Sequence, residues 1–472
     1  MLAAYIASVF SRDFSYLGVA SRELGRLISA DPCEEFTHFF EIARLLQAKL
    51  SEGKLSFIFE DIELPLTPIL AEMEHKGILL DREFLGELSR KADKTLSLLT
   101  ENIHGLAGEE FNINSSQQLS KILFEKLGLK THGLRKTEKG GVISTSASEL
   151  EKLRGVHPMI EKILEFREIT KLKSTYIDVL PTLVNPRTKR LHTTFNQTGT
   201  ATGRLSSFDP NIQNIPVVSS LGREIRKAFI AAPDFLLVSF DYSQIELRVA
   251  AHLANDEKMI DAFKKGVDIH ALTASEIYNV PLEKVTPDLR RAAKTLNFGI
   301  LYGMGSQALA ESTGMSRQEA KKFIDEYFHD FSGVREYLRH IKSFAEENGY
   351  VETLFGRRRY IPEIHSPNWQ LKREAERMAV STVIQGTATG DIIKMAMIRV
   401  NEWVKKEKLK DEIHMLLQVH DELLFEIKDN IVKKIAPRIK EIMERAAELK
   451  APLVVDVKVG KNWGKQELIT NN

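Results

Sequence analysis

The sequence has one cysteine, Cys33. A lone thiol forms no internal disulfide and excludes multi-cysteine zinc and iron–sulfur sites, which fits a reducing compartment. Long hydrophobic runs are missing as well. No stretch approaches the roughly 18 apolar residues of a membrane span, and the opening MLAAYIASVFSRDF has neither a leading basic segment nor a small-residue cleavage pattern. The protein is therefore expected in the cytoplasm, without a membrane anchor. An excess of either charge is also absent: 66 Lys and Arg face 65 Asp and Glu, a formal net charge of +1. A polyanionic partner must be met by local patches, because the overall field attracts none.

What is present is an ordinary globular composition, 43% hydrophobic and 28% charged, over 472 residues. A chain of this length exceeds one core and predicts about three domains. Residues 1–50 read as two or three short helices, broken at Asp31-Pro32. Helical spacing then runs to about residue 105, with Gly77 as a stop. The segment LKTHGLRKTEKGGVISTS has no apolar period and gathers Lys130, Arg135, Lys136 and Lys139 beside Gly140-Gly141, which predicts an exposed basic loop. Such runs are commonly just solvated linkers. Helices resume from ASELEKL to KLKSTYIDVLP, and from residue 190 short extended segments predict that a sheet begins. Residues 243–350 are again mostly helical, whereas HMLLQVHDELLFEI and PLVVDVKVG read as strands. There is no repeat of fixed period and no low-complexity tract.

Three places carry chemistry. Asp241 sits at the carboxyl end of the apolar run FLLVSF, just before the helical pattern SQIELRVAAHLA. His420-Asp421 lies between LLQV and ELLFEI, which predicts a hairpin with Asp421 at its tip. Two carboxylates on neighbouring strand ends suit hard cations that keep several waters and bridge phosphate oxygens. Each alone has a plainer reading, since an Asp after a strand commonly caps a helix or turns the chain. Glu422 reads as a third ligand or a solvated strand residue, and His420 as a structural hydrogen-bond partner. In LRRAAKTLNFGILYGMG, Arg290, Lys294, Phe298 and Tyr302 recur every four residues. Each step drifts only about 40° around a helix, so the four form one slanting stripe. Cations at one end suit a triphosphate and an aromatic further along suits a base, although Phe and Tyr at this spacing also simply pack.

In their order and spacing, DYSQIELR (241–248), RRAAKTLNFGILYG (290–303) and QVHDEL (418–423) resemble the motifs of the family A DNA polymerases, typified by bacterial DNA polymerase I. TATGRLSSFDPNIQNIP (200–216), DIHALTA (268–274) and GRRRYIPEI (356–364) extend the resemblance over nearly the whole chain. It implies a mixed α/β, hand-shaped fold: thumb at 56–189, palm with an antiparallel sheet at 190–247 and 365–472, and fingers at 248–364. Residues 1–55 would be the helical remnant of an exonuclease-like domain.

The resemblance further implies DNA-templated addition of deoxynucleotides to a primer. Asp241 and Asp421 would bind two Mg²⁺ ions, helped by the Tyr242 carbonyl and supported by Glu422. Arg290 and catalytic Lys294 would hold the triphosphate with His270 nearby, Phe298 would pack on sugar and base, Gln244 would join the nucleotide site, and Tyr302 would sit where the template base stacks. Glu246 resembles the gate that fills the space of a 2′-OH, and Phe298 implies discrimination against dideoxynucleotides. Arg204 and Gln385 would bond minor-groove acceptors common to every correct pair. Arg377 and His420 would also contact DNA. Lys130, Arg135, Lys136, Lys171 and Lys173 would grip backbone phosphates without regard to sequence. The implied partners are primer–template DNA and dNTPs, met by a monomer at the nucleoid.

The sequence also departs from the family. Glu41 falls near a metal-binding position of the proofreading domain, but no Tyr lies four residues earlier, and neither 3′ to 5′ exonuclease nor 5′ nuclease activity is expected. In ERMAVSTVIQGTATGDIIK, the family usually has Asn at Ser381, Pro at Val383, and one residue fewer between Ala388 and Asp391. The extra residue, with Gly390, is expected as a bulge or kink near the primer terminus, altering mismatch extension. A single-subunit RNA polymerase shares the aspartates and the Lys-to-Tyr spacing, but Glu246 and the thumb argue against it. A two-metal nuclease would not need the Arg290–Phe298 stripe, and a non-catalytic DNA-binding descendant would be free to lose its carboxylates.

Overall fold

The computed structural model describes residues 1–7, 13–25, 32–131, 133–137, 141–216 and 219–469, with the side chains of 32–36 excepted. Eight strands make the main sheet: Ile78–Leu80 (β1), Arg190–Leu191 (β2), Phe229–Ile230 (β3), Phe235–Tyr242 (β4), Ile413–Val419 (β5), Glu422–Lys428 (β6), Val455–Asn462 (β7) and Lys465–Leu468 (β8). The order is β2-β1-β3-β7-β4-β6-β5, with β8 on β7, and every pairing is antiparallel. Leu237, Val238 and Phe240 of β4 are all fully buried. Successive strand residues point to opposite faces, so both faces of this central strand are covered, which is why it reads as a continuous apolar run.

One strand lies where the sequence predicts helix. The sheet begins at β1, well before residue 190, because Gly77 ends the helix Leu64–Lys76 with φ 61° and the chain turns directly into pairing with β2. A Cβ at Gly77 would stand 2.6 Å from the Leu191 carbonyl oxygen, so both the conformation and the close approach require glycine. Three residues are too few for a strand period to show in the sequence.

Arg82–Ala107 (α1), capped by the Asp81 carboxylate on the Phe84 amide, and Pro158–Leu172 (α2) bury Leu99, Ile103, Met159 and Ile163 in a core of their own. Between them Lys136 bridges Ile143 across the basic loop, whose Lys139 and Gly140 lie outside the described residues. Ile245–Ala254 (α3), Ile269–Tyr278 (α4) and Pro287–Leu301 (α5) follow β4. The last starts with the Thr286 hydroxyl accepting from the Leu289 amide and with Pro287 at its first position, where no amide hydrogen is missed. Trp369–Gln385 (α6) and Ile393–Lys406 (α7) are joined by a π-helical turn, Gly386–Ile392, and Val432–Glu444 (α8) packs on α7. The predicted bulge is therefore a wide turn that absorbs one extra residue without ending the helical run. A Cβ at Gly390 would come 2.6 Å from the Thr202 carbonyl oxygen, so the loop at 202–203 packs directly on the turn. Among the described residues no helix is long and apolar enough to cross a membrane.

Beneath this turn lies a fully buried group of charges. Glu63 Oε1 pairs with Lys394 Nζ at 2.5 Å and with an Arg357 terminal nitrogen at 2.6 Å, while Arg357 Nε pairs with Asp391 at 2.7 Å. Gln197 and the Thr353 hydroxyl complete the carboxylates' hydrogen bonds at 2.7 and 2.6 Å. Two positive and two negative charges balance, and losing one leaves an uncompensated charge in the core. Glu63→Gln is expected to lower stability to chemical denaturation by about 3–5 kcal/mol. Adding Lys394→Met should recover part of that loss, and a simple sum of the two effects would contradict the pairing.

Candidate active site

The site starts from strand register. Asp241 on β4 lies opposite Glu422 on β6 and opposite Asp456 on β7. Directly opposed residues of antiparallel strands share a face, so three carboxylates stand abreast. The predicted hairpin is present, with His420 and Asp421 as its two connecting residues and His420 at φ 55°. The Tyr242 amide donates to the Asp421 carbonyl at 3.1 Å, which ties the tip to the end of β4. Gln213 donates to both oxygens of Gln418 at 3.0 Å, and Gln418 donates to the His420 carbonyl at 2.6 Å, bracing the hairpin.

Asp241, Tyr242, His420, Asp421 and Asp456 form the floor of a cleft of about 640 Å³. Burial, with Asp421 and Glu422 close by, pushes the Asp241 carboxyl up to about 7. The Tyr242 hydroxyl donates to the Met443 carbonyl at 2.7 Å, so its ring belongs to the core and its backbone is what it offers the cleft. Glu422 does not border the cleft: its carboxylate accepts from the Trp463 indole at 3.0 Å and lies 3.8 Å from Arg226.

The opposite wall comes from α4 and α5. Arg290, Lys294, Phe298 and Tyr302 all line the cleft, as the stripe predicts, and His270 joins them. Arg290 Nε pairs with Asp268 at 2.5 Å, and Asp268 also caps α4 by accepting from the His270 and Ala271 amides. The Lys294 ammonium lies 5.9 Å from the centre of the Phe298 ring, which stacks on Tyr302 at 6.3 Å and 9°.

At one end of the cleft a polar network closes the space. The Tyr302 hydroxyl donates to one oxygen of Glu246, and Arg204 donates to the other at 2.7 Å. Burial raises the Glu246 carboxyl above the usual range, and these two bonds oppose the rise. Arg204 Nε in turn donates to the Thr389 hydroxyl, which the π-helical turn delivers. Gln385 and Gln244 border the same space, and the Gln244 side-chain oxygen is buried without a partner among the described residues.

The structure therefore brings together Arg204, Asp241, Tyr242, Gln244, Glu246, His270, Arg290, Lys294, Phe298, Tyr302, Gln385, His420 and Asp421. It leaves others elsewhere. Lys130, Arg135, Lys136 and Lys171 are exposed, and Arg377 is exposed on α6 against Gly303. Lys173 is engaged by Asp178 at 2.7 Å and Asp93 at 3.2 Å, and Glu41 by His38 at 3.3 Å. Sequence reasoning missed Thr389, Asp456 and Asn297. PLVVDVKVG does alternate, which marks Asp456 as facing away from the core, but only the register shows what it stands beside.

Among the described residues no group of three or more His, Cys, Asp or Glu is arranged to hold a metal ion. The donor set nevertheless fits Mg²⁺, which is characteristically bound through one or two carboxylates plus substrate phosphates, without a full protein cage. The raised Asp241 carboxyl fits as well, because a dication offsets both the burial and the neighbouring carboxylates that raise it.

Comparison with known proteins shows the family. The family model described as DNA polymerase family A matches residues 82–465. The thermostable DNA polymerase I of Thermus aquaticus is 49% identical over 412 residues, covering 87% of this chain and 49% of the relative. DNA polymerase I of Pseudomonas aeruginosa is 46% identical over 409 residues, covering 87% and 44%. The chain thus spans about half the length of the curated relatives it matches. The POL domain of Pol1 from M. smegmatis, solved in complex with DNA primer-template and dNTP, superposes with a TM-score of 0.91 at 38% identity, covering 98% of this chain and 81% of that one. The architecture is accordingly the right-hand polymerase fold, its antiparallel sheet at the centre.

Because the folded-state carboxyl of Asp241 is raised to about 7, it disfavours folding once the pH exceeds the unfolded value, with the full penalty present above about 7. Asp241→Asn is expected to unfold at higher temperature than the parent at pH 8, by about 1–3 kcal/mol of stability. The gain should shrink as the pH falls from 7 toward 4; a gain independent of pH would contradict the raised Asp241 carboxyl.

Proposed function

The chain belongs to DNA polymerase family A, and we propose that it carries out template-directed DNA synthesis, joining deoxynucleotides to a primer 3′-OH. The observation that carries this reading is the convergence of Asp241 and Asp421 with the Arg290, Lys294, Phe298 stripe on one cleft. Carboxylates alone suit cleavage equally well; the cationic and aromatic wall facing them suits a nucleoside triphosphate.

Asp241, Asp421 and the Tyr242 backbone carbonyl would hold two Mg²⁺ ions. When bound, the ions supply Lewis-acid charge for attack of the 3′-OH on the α-phosphate and for the leaving pyrophosphate. Arg290 and Lys294 hold and neutralise the triphosphate, His270 adds a donor, and Phe298 orients sugar and base. Glu422, the register partner of Asp241, acts from behind by holding Trp463 and Arg226 against this end of the sheet. Glu246 fills the space a 2′-OH needs. Tyr302, now bonded to Glu246, gives way as the template base enters and α5 rotates over the nucleotide, a closure that checks fit before chemistry.

Arg204 and Gln385 read minor-groove acceptors of the terminal pair, with Thr389 orienting the guanidinium. Residues 56–189 form the thumb, 190–247 and 365–472 the palm, 248–364 the fingers. The Ile78–Leu80 strand of the thumb segment is sheet-bound to the palm. Exposed Lys130, Arg135, Lys136 and Lys171 suit backbone phosphates, as does Arg377 near the template; Lys173 reaches them only by leaving Asp178 and Asp93. The enzyme works as a monomer on nucleoid DNA in the cytoplasm.

Single-nucleotide extension of a primed template in Mg²⁺ tests this. Extension with dNTPs and far less with rNTPs is expected, and Asp421→Ala should remove it by several orders of magnitude. Equal use of rNTPs would contradict the role of Glu246, and an active Asp421→Ala variant would contradict the metal role. Deleting Gly390 shortens the turn that positions Thr389, and is expected to change the ratio of mismatched to matched extension about fivefold, the value of one hydrogen bond of about 1 kcal/mol. An unchanged ratio would sever the turn from primer-terminus sensing.

A further inference from the structure

Asn297 lies on α5 between Lys294 and Phe298, yet its side chain is fully buried, away from their stripe. Its oxygen accepts from the Thr273 hydroxyl at 3.1 Å, and its nitrogen lies 2.9 Å from His270 Nδ1. An amide nitrogen donates and has no lone pair to offer, so Nδ1 has to accept. The proton of a neutral imidazole then sits on Nε2, since the bond made by one ring nitrogen decides the state of the other. His270 Nε2 is buried with no hydrogen-bond partner among the described residues, while the ring borders the cleft beside Arg290 and Lys294. A buried donor left unpaired is unfavourable, and an arriving acceptor removes the penalty.

We propose that Thr273 and Asn297 are positioning residues that fix His270 as its neutral Nε2–H tautomer, which readies Nε2 for the triphosphate contact already assigned to it. The phosphate half rests on the nucleotide reading of the cleft; the tautomer half does not. The groups facing the ring are Asp268 at the start of α4, and Arg290, Lys294 and the Phe298 ring, 5.6 Å away, on α5. Burial pushes the imidazole down to about 4, with Arg290 and Lys294 adding to the effect and Asp268 opposing it. It is therefore neutral throughout the working range, and the donor is set by the amide with no need for proton uptake. Arg290 and Lys294 supply the charge, and His270 supplies a directed bond that does not vary with pH.

Two measurements test this. Nitrogen-15 NMR of the histidines, with His270→Gln identifying the signal, should show a neutral ring protonated on Nε2 at pH 7 without nucleotide. An Nδ1–H tautomer or an imidazolium would overturn the proposal. The second is dNTP affinity on a primer ending in a dideoxynucleotide, compared between Asn297→Asp and parent at each pH. The aspartate accepts from Nδ1–H. At low pH the doubly protonated ring still offers Nε2–H, but once it loses one proton it keeps the other on Nδ1 and turns a lone pair toward the phosphate. The variant-to-parent Kd ratio should rise about tenfold from pH 6 to pH 9, the loss of one bond to a charged acceptor. A flat ratio beside a confirmed Nε2–H tautomer would overturn the phosphate contact. Should Asn297→Asp not fold, Thr273→Val frees the amide to turn and should populate both tautomers, with Thr273→Ser restoring one; a single unchanged tautomer in Thr273→Val would count against the relay. Absence of dNTP binding by the parent would sink the polymerase reading and leave the tautomer result standing.

Discussion

Asp241 stands beside Asp421 because β4 pairs with β6 so that Asp241 faces Glu422, the residue that follows the hairpin tip. A slip of one residue would turn the Asp241 side chain to the other face of the sheet. The core prevents it: Phe240 meets Phe425 edge-on at 5.4 Å, and the Tyr242 hydroxyl is held by the Met443 carbonyl. Apolar burial thus holds carboxylates together that repel each other, and the rise of Asp241 to about 7 records the strain of that arrangement. The fold itself brings the carboxylates to one end of the sheet, and their charge is stored there.

A second constraint controls the far end of the cleft. Arg204 reaches Glu246 from a loop held on three sides: the Tyr5 hydroxyl donates to the Thr200 carbonyl at 2.7 Å, Gly203 covers the Arg357 guanidinium, and Gly390 of the π-helical turn packs against Thr202. The buried Glu63, Lys394, Arg357 and Asp391 charges lie underneath. The turn therefore links a stability element to Arg204 at the end of the cleft. The insertion keeps Gln385 on the cleft while delivering Thr389 to Arg204.

The parts legible in the sequence are those that depend on local geometry. His420-Asp421 between two apolar runs could only be a tight hairpin, the spacing of Arg290, Lys294, Phe298 and Tyr302 places them on one helical stripe, and Gly77 ends its helix. The extra residue before Asp391 emerges as a bulge because a helix has few other ways to absorb one. Tertiary contacts were not legible. β1 is too short to show a period, and Asp456 gains meaning only from register. Glu422 suits a metal on paper until Trp463 and Arg226 are seen to occupy it, and Lys173 suits a phosphate until Asp178 does. Asn297 reads as a core residue between two that line the cleft, and its bond to His270 depends on how α4 packs against α5.

The central claim is that strand register builds a two-carboxylate, cation-dependent nucleotide site. It is tested most directly by a crystal structure of the protein with a dideoxy-terminated primer–template, the matching dNTP and Mg²⁺. Two cations beside Asp241 and Asp421 are expected, with Glu422 still on Trp463 and Arg204 turned from Glu246 to the minor groove. Cations held by other residues, or a nucleotide seated away from Arg290 and Lys294, would contradict it.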